Sequence, residues 1–437
     1  MIKPTIAFYT QGCRLNQSET AVLEAELQVQ YQLVPLEAGA DVVVVNTCTV
    51  TENGDADTRK LVNKINRINP ETRIALIGCQ SQILKEQLLA LDQVKWVIGN
   101  HEKMNFKKIL EETWHQERAE LRVNKIEREA FTVNRLGGDT HHVRASIKIQ
   151  DGCDFYCAFC VIPFARGPAR SRVFEDIIRE CLLLVEEGHQ EIVITGINVG
   201  TYENQGKTLL DVIEALEQIP LLRRIRISSI EPTTIPKALF EKMKVGKLCP
   251  YLHIPIQSGS DKILRAMNRH YNVAEFRAFI EEAKREVPEI CIGTDVIVGF
   301  PGEDRTCFDE TVLQLMTLPL DYFHVFSYSE RKFARSKKLD EKVSEDEIAR
   351  RSAVLRSLSE KKRNAYYQKF LGQKLEVLFE GGGKDGLIQG YSSHFIRVKC
   401  PIPQGESPAV FKNKIRAVTL WEVKGHHVLG SLDEYDA

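Results

Sequence analysis

The sequence predicts an α/β chain in three parts: a doubly wound parallel sheet, an open (βα)6 barrel and a small C-terminal β-barrel. Two stretches in which apolar strand patterns alternate with helical periodicity predict the first two parts. A tail of short apolar runs broken by Gly and Pro predicts the third. At 437 residues the chain exceeds one ordinary core and suits two or three.

In the first stretch, strand patterns at Thr5–Tyr9, Asp41–Asn46 and Arg73–Ile77 alternate with helical patterns at Gln17–Val29 and Asp55–Arg67. The VVVV run in the second strand suits a strand covered on both faces, as in a parallel sheet. Glu111–Arg128 is charged with little periodicity and Leu136-Gly137-Gly138 follows, which places a linker between residues 120 and 140. The second stretch supplies six strands: Arg144–Gln150, Glu191–Thr195, Arg224–Ser228, Tyr251–Gln257, Ile292–Val298 and Tyr322–Ser327. Helical patterns such as Phe174–Glu187, Leu209–Glu217, Ala274–Arg285 and Cys307–Met316 separate them. A long helix over Glu345–Phe370 leads to the apolar runs Leu375–Phe379, Phe395–Val398 and Ala417–Val423 of the tail. The expected units are residues 1–125, 136–368 and 369–437.

Composition narrows the class. A hydrophobic content of 43% and a charged content of 27% are ordinary for a soluble protein. No apolar run approaches the roughly 20 residues that cross a bilayer, and the start lacks a signal peptide's basic region and cleavage site. The expectation is a cytoplasmic protein with no membrane partner. Eleven cysteines, an odd number with several isolated in apolar runs, argue against a secreted disulfide framework and for thiolate chemistry with a metal. With a net charge of −1, attraction to nucleic acid has to come from local basic patches.

The string QDGCDFYCAFC places Cys153, Cys157 and Cys160 just past the first barrel strand, the end where barrel enzymes keep their active sites. The CxxxCxxC spacing lets one loop wrap three thiolates around an iron–sulfur cube. One iron is left without a cysteine, free to be chelated by the amino and carboxylate groups of S-adenosylmethionine (SAM). A structural zinc closed by a remote fourth ligand is the plainer alternative. A second trio is dispersed: Cys13 in TQGCRLN, Cys48 in VVNTCTV and Cys79 in ALIGCQSQ each follow the carboxyl end of a predicted parallel strand. Such loops line the ligand crevice of an open sheet, so the three thiolates should converge on another cluster; otherwise they are small buried hydrophobes. Cys181, Cys249, Cys291, Cys307 and Cys400 lack this regularity and are structural in this reading.

Later strand ends carry the candidate cofactor contacts: Thr195, Gly196 and Asn198; Glu231; Gln257 and Ser258; and Asp295. Arg166, Arg170 and Arg172 follow the cluster loop and suit a cofactor carboxylate or an RNA phosphate. From Arg350 to Lys369 seven Arg and Lys residues face only Glu360, while Tyr366, Tyr367, Tyr391 and Phe395 are available for base stacking or for a core.

The cluster loop and barrel resemble the radical S-adenosylmethionine superfamily. With the N-terminal trio and a tail that looks like a TRAM domain, the whole chain resembles the methylthiotransferase family. GCRLNQSE, NTCTVT and DGC followed by ARGPARSR are most similar to the branch acting on N6-threonylcarbamoyladenosine beside the anticodon of tRNA. The isopentenyladenosine and ribosomal-protein aspartate branches are less similar around Cys13 and Cys48. The resemblance implies two 4Fe-4S clusters, SAM as both methyl donor and radical source, and transfer of a methylthio group to carbon 2 of the adenine. It also implies the tRNA anticodon stem-loop and an electron donor as partners. Ser327–Arg335, SYSERKFAR, departs from the family's SxRxGT-like turn, lacking its Gly and Thr. An RNA-binding protein with structural metal is the reading from another class.

Overall fold

The computed structural model describes residues 3–49, 52–133, 142–383 and 386–433. The N-terminal unit runs β1 (Thr5–Thr10), α1 (Arg14–Leu27), β2 (Gln32–Leu33), β3 (Val42–Thr47), α2 (Glu52–Ile68), β4 (Arg73–Gly78), α3 (Cys79–Leu84), β5 (Val94–Ile98), α4 (Phe106–Thr113) and β6 (Glu120–Arg122). These strands form one parallel sheet in the order β2-β1-β3-β4-β5-β6. β3 is buried throughout, as its VVVV run requires. Strand alternation sends Val42 and Val44 to one core with Trp96 and Phe106, and Val43 and Val45 to the other with Leu61 and Ile65. Three strands escaped sequence reading. β2 has two residues, and β6 is a polar edge strand inside the stretch assigned to a linker. The third, β5, lies between two short helical turns. The Leu136-Gly137-Gly138 turn lies outside the described residues.

The central unit carries β7 (Arg144–Lys148), α5 (Ile162–Arg166), α6 (Phe174–Glu186), β8 (Glu191–Thr195), α7 (Leu209–Glu217), β9 (Arg224–Ile227) and β10 (Tyr251–His253). It continues through α8 (Val273–Glu286), β11 (Cys291–Val298), α9 (Arg305–Thr317), β12 (Tyr322–Ser327) and α10 (Glu345–Gln368). Two parallel three-stranded sheets, β9-β8-β7 and β10-β11-β12, are joined by the parallel bridge Ser229–His253 into a six-strand arc. Among the described residues no ladder joins β7 to β12, so the barrel is open. Capping boxes at Thr208/Asp211 and Asn272/Glu275 start α7 and α8.

The tail closes on itself as β13 (Lys374–Gly382), β14 (Leu387–Ser392), β15 (Arg397–Pro401), β16 (Ile415–Lys424) and β17 (His427–Leu432), ordered β13-β14-β15-β17-β16. Its core residues Val377, Phe379, Ile388 and Val418 are continuous with Tyr251, Cys291 and Tyr322, the first residues of β10, β11 and β12. The small barrel therefore stoppers the amino end of the large one. Arg224 donates to the carbonyls of Glu376 (2.8 Å) and Tyr391 (3.1 Å), and Arg226 to those of Ser392 and Ser393.

This junction bears on the aromatic residues that suited either base stacking or a core. Tyr366 and Tyr367 are buried in it, and Phe395 packs 4.4 Å from Tyr251 and 5.2 Å from Tyr391, so the four rings form a plug between the barrels. The basic stretch of α10 is also partly neutralised. Arg351 is buried against Glu303 and Glu347, and Arg350 pairs with Glu347, an acid just upstream of the counted window. Arg356, Lys361 and Lys369 remain exposed. No helix of the described residues is long and apolar enough to cross a membrane.

A candidate active site between two cysteine trios

The loop after β7 is bent by Gly152, whose φ is +72° and whose missing Cβ would collide with the Pro168 carbonyl oxygen. Only glycine fits this turn, and the turn aims Cys153 inward. Within the loop the Cys160 amide donates to the Cys157 carbonyl (3.0 Å), and the Phe155 amide approaches Cys153 Sγ (3.5 Å). Arg269 donates to Cys157 Sγ (3.0 Å) and pairs with Glu231. Burial pushes the Cys153 thiol up to about 11 and the Cys160 thiol up to about 12, and the neighbouring Cys157 adds to both. An iron–sulfur cluster binds the thiolates, so loading the loop would release these protons.

The trio opens on a cavity of about 750 Å³ that runs from the carboxyl ends of the strands to Tyr251 and Tyr322 at the amino ends of β10 and β12. Thr195, Gly196, Asn198, Glu231, Gln257 and Asp295 stand on its wall, as the strand-end reading expected. Asn198 Nδ2 and Ser228 Oγ are buried there without a hydrogen-bond partner, and Gln257 is held at a φ of 65°. Unsatisfied polar atoms lining a cleft of this size fit a polar cofactor such as SAM. His253 Nε2 bonds Asp295 (2.8 Å) with His324 beside it.

Four expected contacts are turned elsewhere. Ser258 is fully buried on Thr311 (3.3 Å) and the Ser260 amide (3.2 Å). Arg172 is spent on Asp176 (2.6 Å) and Glu180. Arg170 donates to Asp151 (2.9 Å). Arg166, fully buried, donates to Asn16 Oδ1 (2.6 Å), Asp151 (3.0 Å) and Glu19 (3.2 Å). The nearness of Arg166 and Arg172 to the cluster loop in sequence concealed that Arg166 reaches Glu19 and Asn16 across the domain interface and that Arg172 pairs with the following helix.

The second trio is built from three strand ends. Cys13 is the N-cap of α1, Cys48 follows β3 and Cys79 opens α3 after β4. Gly12, at φ +88°, lets the first loop touch the second: a Cβ there would sit 2.6 Å from Cys48 Sγ. Asn16 Nδ2 ties these loops through the carbonyls of Gln11 (2.8 Å) and Thr47 (3.1 Å). Asn100 Nδ2 donates to Cys79 Sγ (3.4 Å), and Arg331 of the divergent SYSERKFAR segment reaches Thr49 Oγ1 (2.8 Å) beside Cys48. Cys13 lines the same cavity as the loop trio.

A buried ionic network holds the two units in register. Glu19 on α1 accepts from Lys103, Lys148 (2.8 Å) and Arg166, and Asp151 accepts from Arg166 and Arg170 and pairs with Lys148. Burial would raise the Glu19 carboxyl, but Arg166, Lys103 and Lys148 together hold it well below the usual carboxylate range. Four cations face two carboxylates. Burial opposes the Arg166 charge, yet Cys79, Glu19, Asp151 and Cys13 raise its affinity for the proton, so both cysteines lie within reach of its positive field. A site already rich in cations suits thiolates carrying a cluster.

Residues 147–315 match the model of the radical SAM superfamily, and residues 5–99 match the uncharacterized protein family UPF0004. The chain is 37% identical to the threonylcarbamoyladenosine tRNA methylthiotransferase MtaB of Aquifex aeolicus, across 85% of this chain and 92% of that protein. It is 33% identical to the protein of the same name from Bacillus subtilis, across 90% of each. The chain belongs to the radical SAM methylthiotransferase family. Another relative, the tRNA-2-methylthio-N(6)-dimethylallyladenosine synthase of Clostridium botulinum, is 31% identical across 86% of each chain. Among solved structures, the radical SAM methyltransferase TsrM of Kitasatospora setae, with cobalamin and a [4Fe-4S] cluster, shares the fold at a TM-score of 0.55 and 14% identity over 75% of each chain.

As a radical SAM methylthiotransferase the protein uses a 4Fe-4S cluster and SAM, and the loop trio and the cavity with its orphaned polar atoms suit them. Sequence reasoning missed several residues on this wall, Arg14, Phe155, His253, Arg269 and His324, and it read Arg363 as part of a basic RNA-facing helix, not as a cavity residue. His253 ends the short strand β10 and could have been weighed as a polar residue in an apolar run. Arg269 sits in a polar stretch that offers no periodic signal.

Proposed function

We propose that the protein converts N6-threonylcarbamoyladenosine beside the anticodon of tRNA to its 2-methylthio derivative. The observation that carries this reading is that Cys13 of one trio and Cys153, Cys157 and Cys160 of the other share the wall of a single cavity. A base entering it would meet the sulfur-delivering and the radical-generating sites together. When bound, two 4Fe-4S clusters and SAM supply the sulfur, the methyl group and a radical able to open a carbon–hydrogen bond. In this reading Cys13, Cys48 and Cys79 hold the auxiliary cluster and Cys153, Cys157 and Cys160 the radical one.

The chain's own side chains position and exclude. Thr195, Gly196, Asn198, Glu231, Gln257 and Asp295 orient the cofactor, with Arg269 steadying both Glu231 and Cys157. Tyr391 and Phe395 stack on the cavity floor and add apolar surface there, which disfavours water beside a reactive radical. At the surface, the stacked rings of Phe164 and Phe333 and the exposed cations of α10 offer contacts to unpaired bases and phosphates. Residues 1–125 then form the auxiliary-cluster unit, 136–368 the radical unit and 369–437 a TRAM-like RNA-binding unit, in a cytoplasmic enzyme served by an electron donor.

The test is mass spectrometry of digested tRNA. The full chain, reconstituted with iron and sulfide and supplied with SAM and reductant, should add a methylthio mass to threonylcarbamoyladenosine. Addition to isopentenyladenosine alone, or to neither base, overturns the substrate assignment.

A further inference from the structure

The cations on the cavity wall are not alike. Arg269 is paired with Glu231, and Arg397 donates to Gln389 Oε1 (2.8 Å). Arg226, beneath the floor, is paired with Glu191 (2.7 Å). Arg14 and Arg363 also line the cavity, and among the described residues neither has a carboxylate within ion-pair distance. Arg363 lies with its guanidinium 5.1 Å from the centre of the Tyr322 ring, and Tyr322 shares a 2.8 Å hydroxyl contact with Tyr251. Arg14 follows Cys13 directly and stands on the same cavity wall as Tyr251, Tyr322 and Arg363. Both guanidinium groups thus open on the cavity lined by the Tyr251–Tyr322 pair, half-buried and, among the described residues, without an ion-paired carboxylate.

Holding cations out of water without a partner is unfavourable, so such a pair is stabilised by an anion that enters. Each guanidinium offers a planar fork of N–H donors that matches a carboxylate. Two ligands of the reaction carry one: SAM and the threonyl group of the modified base. The carboxylate of SAM belongs with the loop trio, at the carboxyl ends of the strands. Tyr251 and Tyr322 are the first residues of β10 and β12, at the opposite end.

We propose that Arg14 and Arg363 form a carboxylate site that receives the threonyl carboxylate of the modified adenosine and selects it over adenosines whose N6 substituent is uncharged. The proposal rests on the tRNA reading above. It also explains orientation. The N6-bearing carbon and carbon 2 of adenine flank the same ring nitrogen, so anchoring the substituent on the floor fixes where carbon 2 faces. Because Arg14 hangs from the loop of Cys13, the residue that selects the base is carried by the loop that would hold the sulfur-bearing cluster.

The experiment measures binding of labelled anticodon stem-loops to the reconstituted full chain by fluorescence anisotropy. Three stem-loops are compared, carrying threonylcarbamoyladenosine, its methyl ester, or unmodified adenosine at the same position. The wild-type chain should bind the acid about ten- to a hundredfold more tightly than the ester, the range of a charged hydrogen-bond pair. Arg14→Gln and Arg363→Gln should each remove most of that preference, and Arg14→Lys should keep part of it. SAM affinity is followed in parallel by equilibrium dialysis. Equal binding of acid and ester by the wild type overturns the proposal without relying on any variant. So does a preference that survives both Gln substitutions, or a loss of SAM affinity with the RNA preference intact, which would assign the cations to the cofactor. If the wild type methylthiolates threonylcarbamoyladenosine yet ignores the ester change, this site is wrong and the function stands. If it never methylthiolates that base, the function itself is wrong.

Discussion

The two cysteine trios present the same kind of ligand by opposite means. Cys153, Cys157 and Cys160 sit on one continuous loop, so local backbone geometry sets their spacing, with Gly152 bending the entry. Cys13, Cys48 and Cys79 stand at one edge of the sheet only because β1, β3 and β4 are neighbours in it, and because Asn16, Asn100, Arg166 and Arg331 brace their loops from other elements. A local motif survives loosening elsewhere; a dispersed one depends on sheet register and on the domain interface. The difference predicts that the N-terminal site is the more easily lost.

The sharpest division should come from Cys157→Ser and Cys79→Ser. The reconstituted wild type is expected to carry about eight iron per chain and each variant about four. The first variant should cease to form 5'-deoxyadenosine, whereas the second should still form it but attach no methylthio group. A Cys79→Ser protein with full iron content would break the assignment of the dispersed trio.

Next in size is Glu19→Gln, which leaves Lys103, Lys148 and Arg166 short of a buried countercharge. Denaturant unfolding of the cluster-free chain should show a loss of about 3–5 kcal/mol. Iron uptake should fall at the dispersed trio before it falls at the loop. Equal losses at both sites would remove the distinction drawn here.

The same carboxylate predicts an acid dependence. Its folded affinity for protons lies below the ordinary Glu value of about 4.3, so its contribution is full above that pH and fades as the pH drops toward the lower folded value. The thermal midpoint of the cluster-free chain should be level near neutrality and decline below about pH 4, and Glu19→Gln should shrink that decline. A decline of the same depth in the variant would show that Glu19 is not its source. The smallest effect belongs to Ser258→Ala, about 1 kcal/mol of stability from its bonds to Thr311 and Ser260. SAM affinity should not change in this variant. A tenfold drop would restore Ser258 to the cofactor contacts suggested by its strand-end position.

Much of this was legible in the amino-acid order, for identifiable reasons. Parallel strands covered on both faces must be apolar, so VVVV announced β3. Ligands bind where such strands end, so Thr195, Asn198 and Asp295 could be named from strand ends alone. Reasoning by nearness in sequence failed for Arg166 and Arg172, since a long side chain takes the partners that folding brings to it. Tyr391 and Phe395 suited stacking or a core equally well until the small barrel was seen to plug the large one.

By itself, then, the sequence determined the fold class and the CxxxCxxC loop, because period, turn chemistry and close cysteine spacing are local properties. Only the tertiary structure decided which arginines are consumed in the domain interface and which remain open to the cavity. That choice depends on the carboxylates within a few ångströms of each guanidinium. Arg166 finds Glu19, 147 residues away in sequence, while Arg14 and Arg363 find none among the described residues.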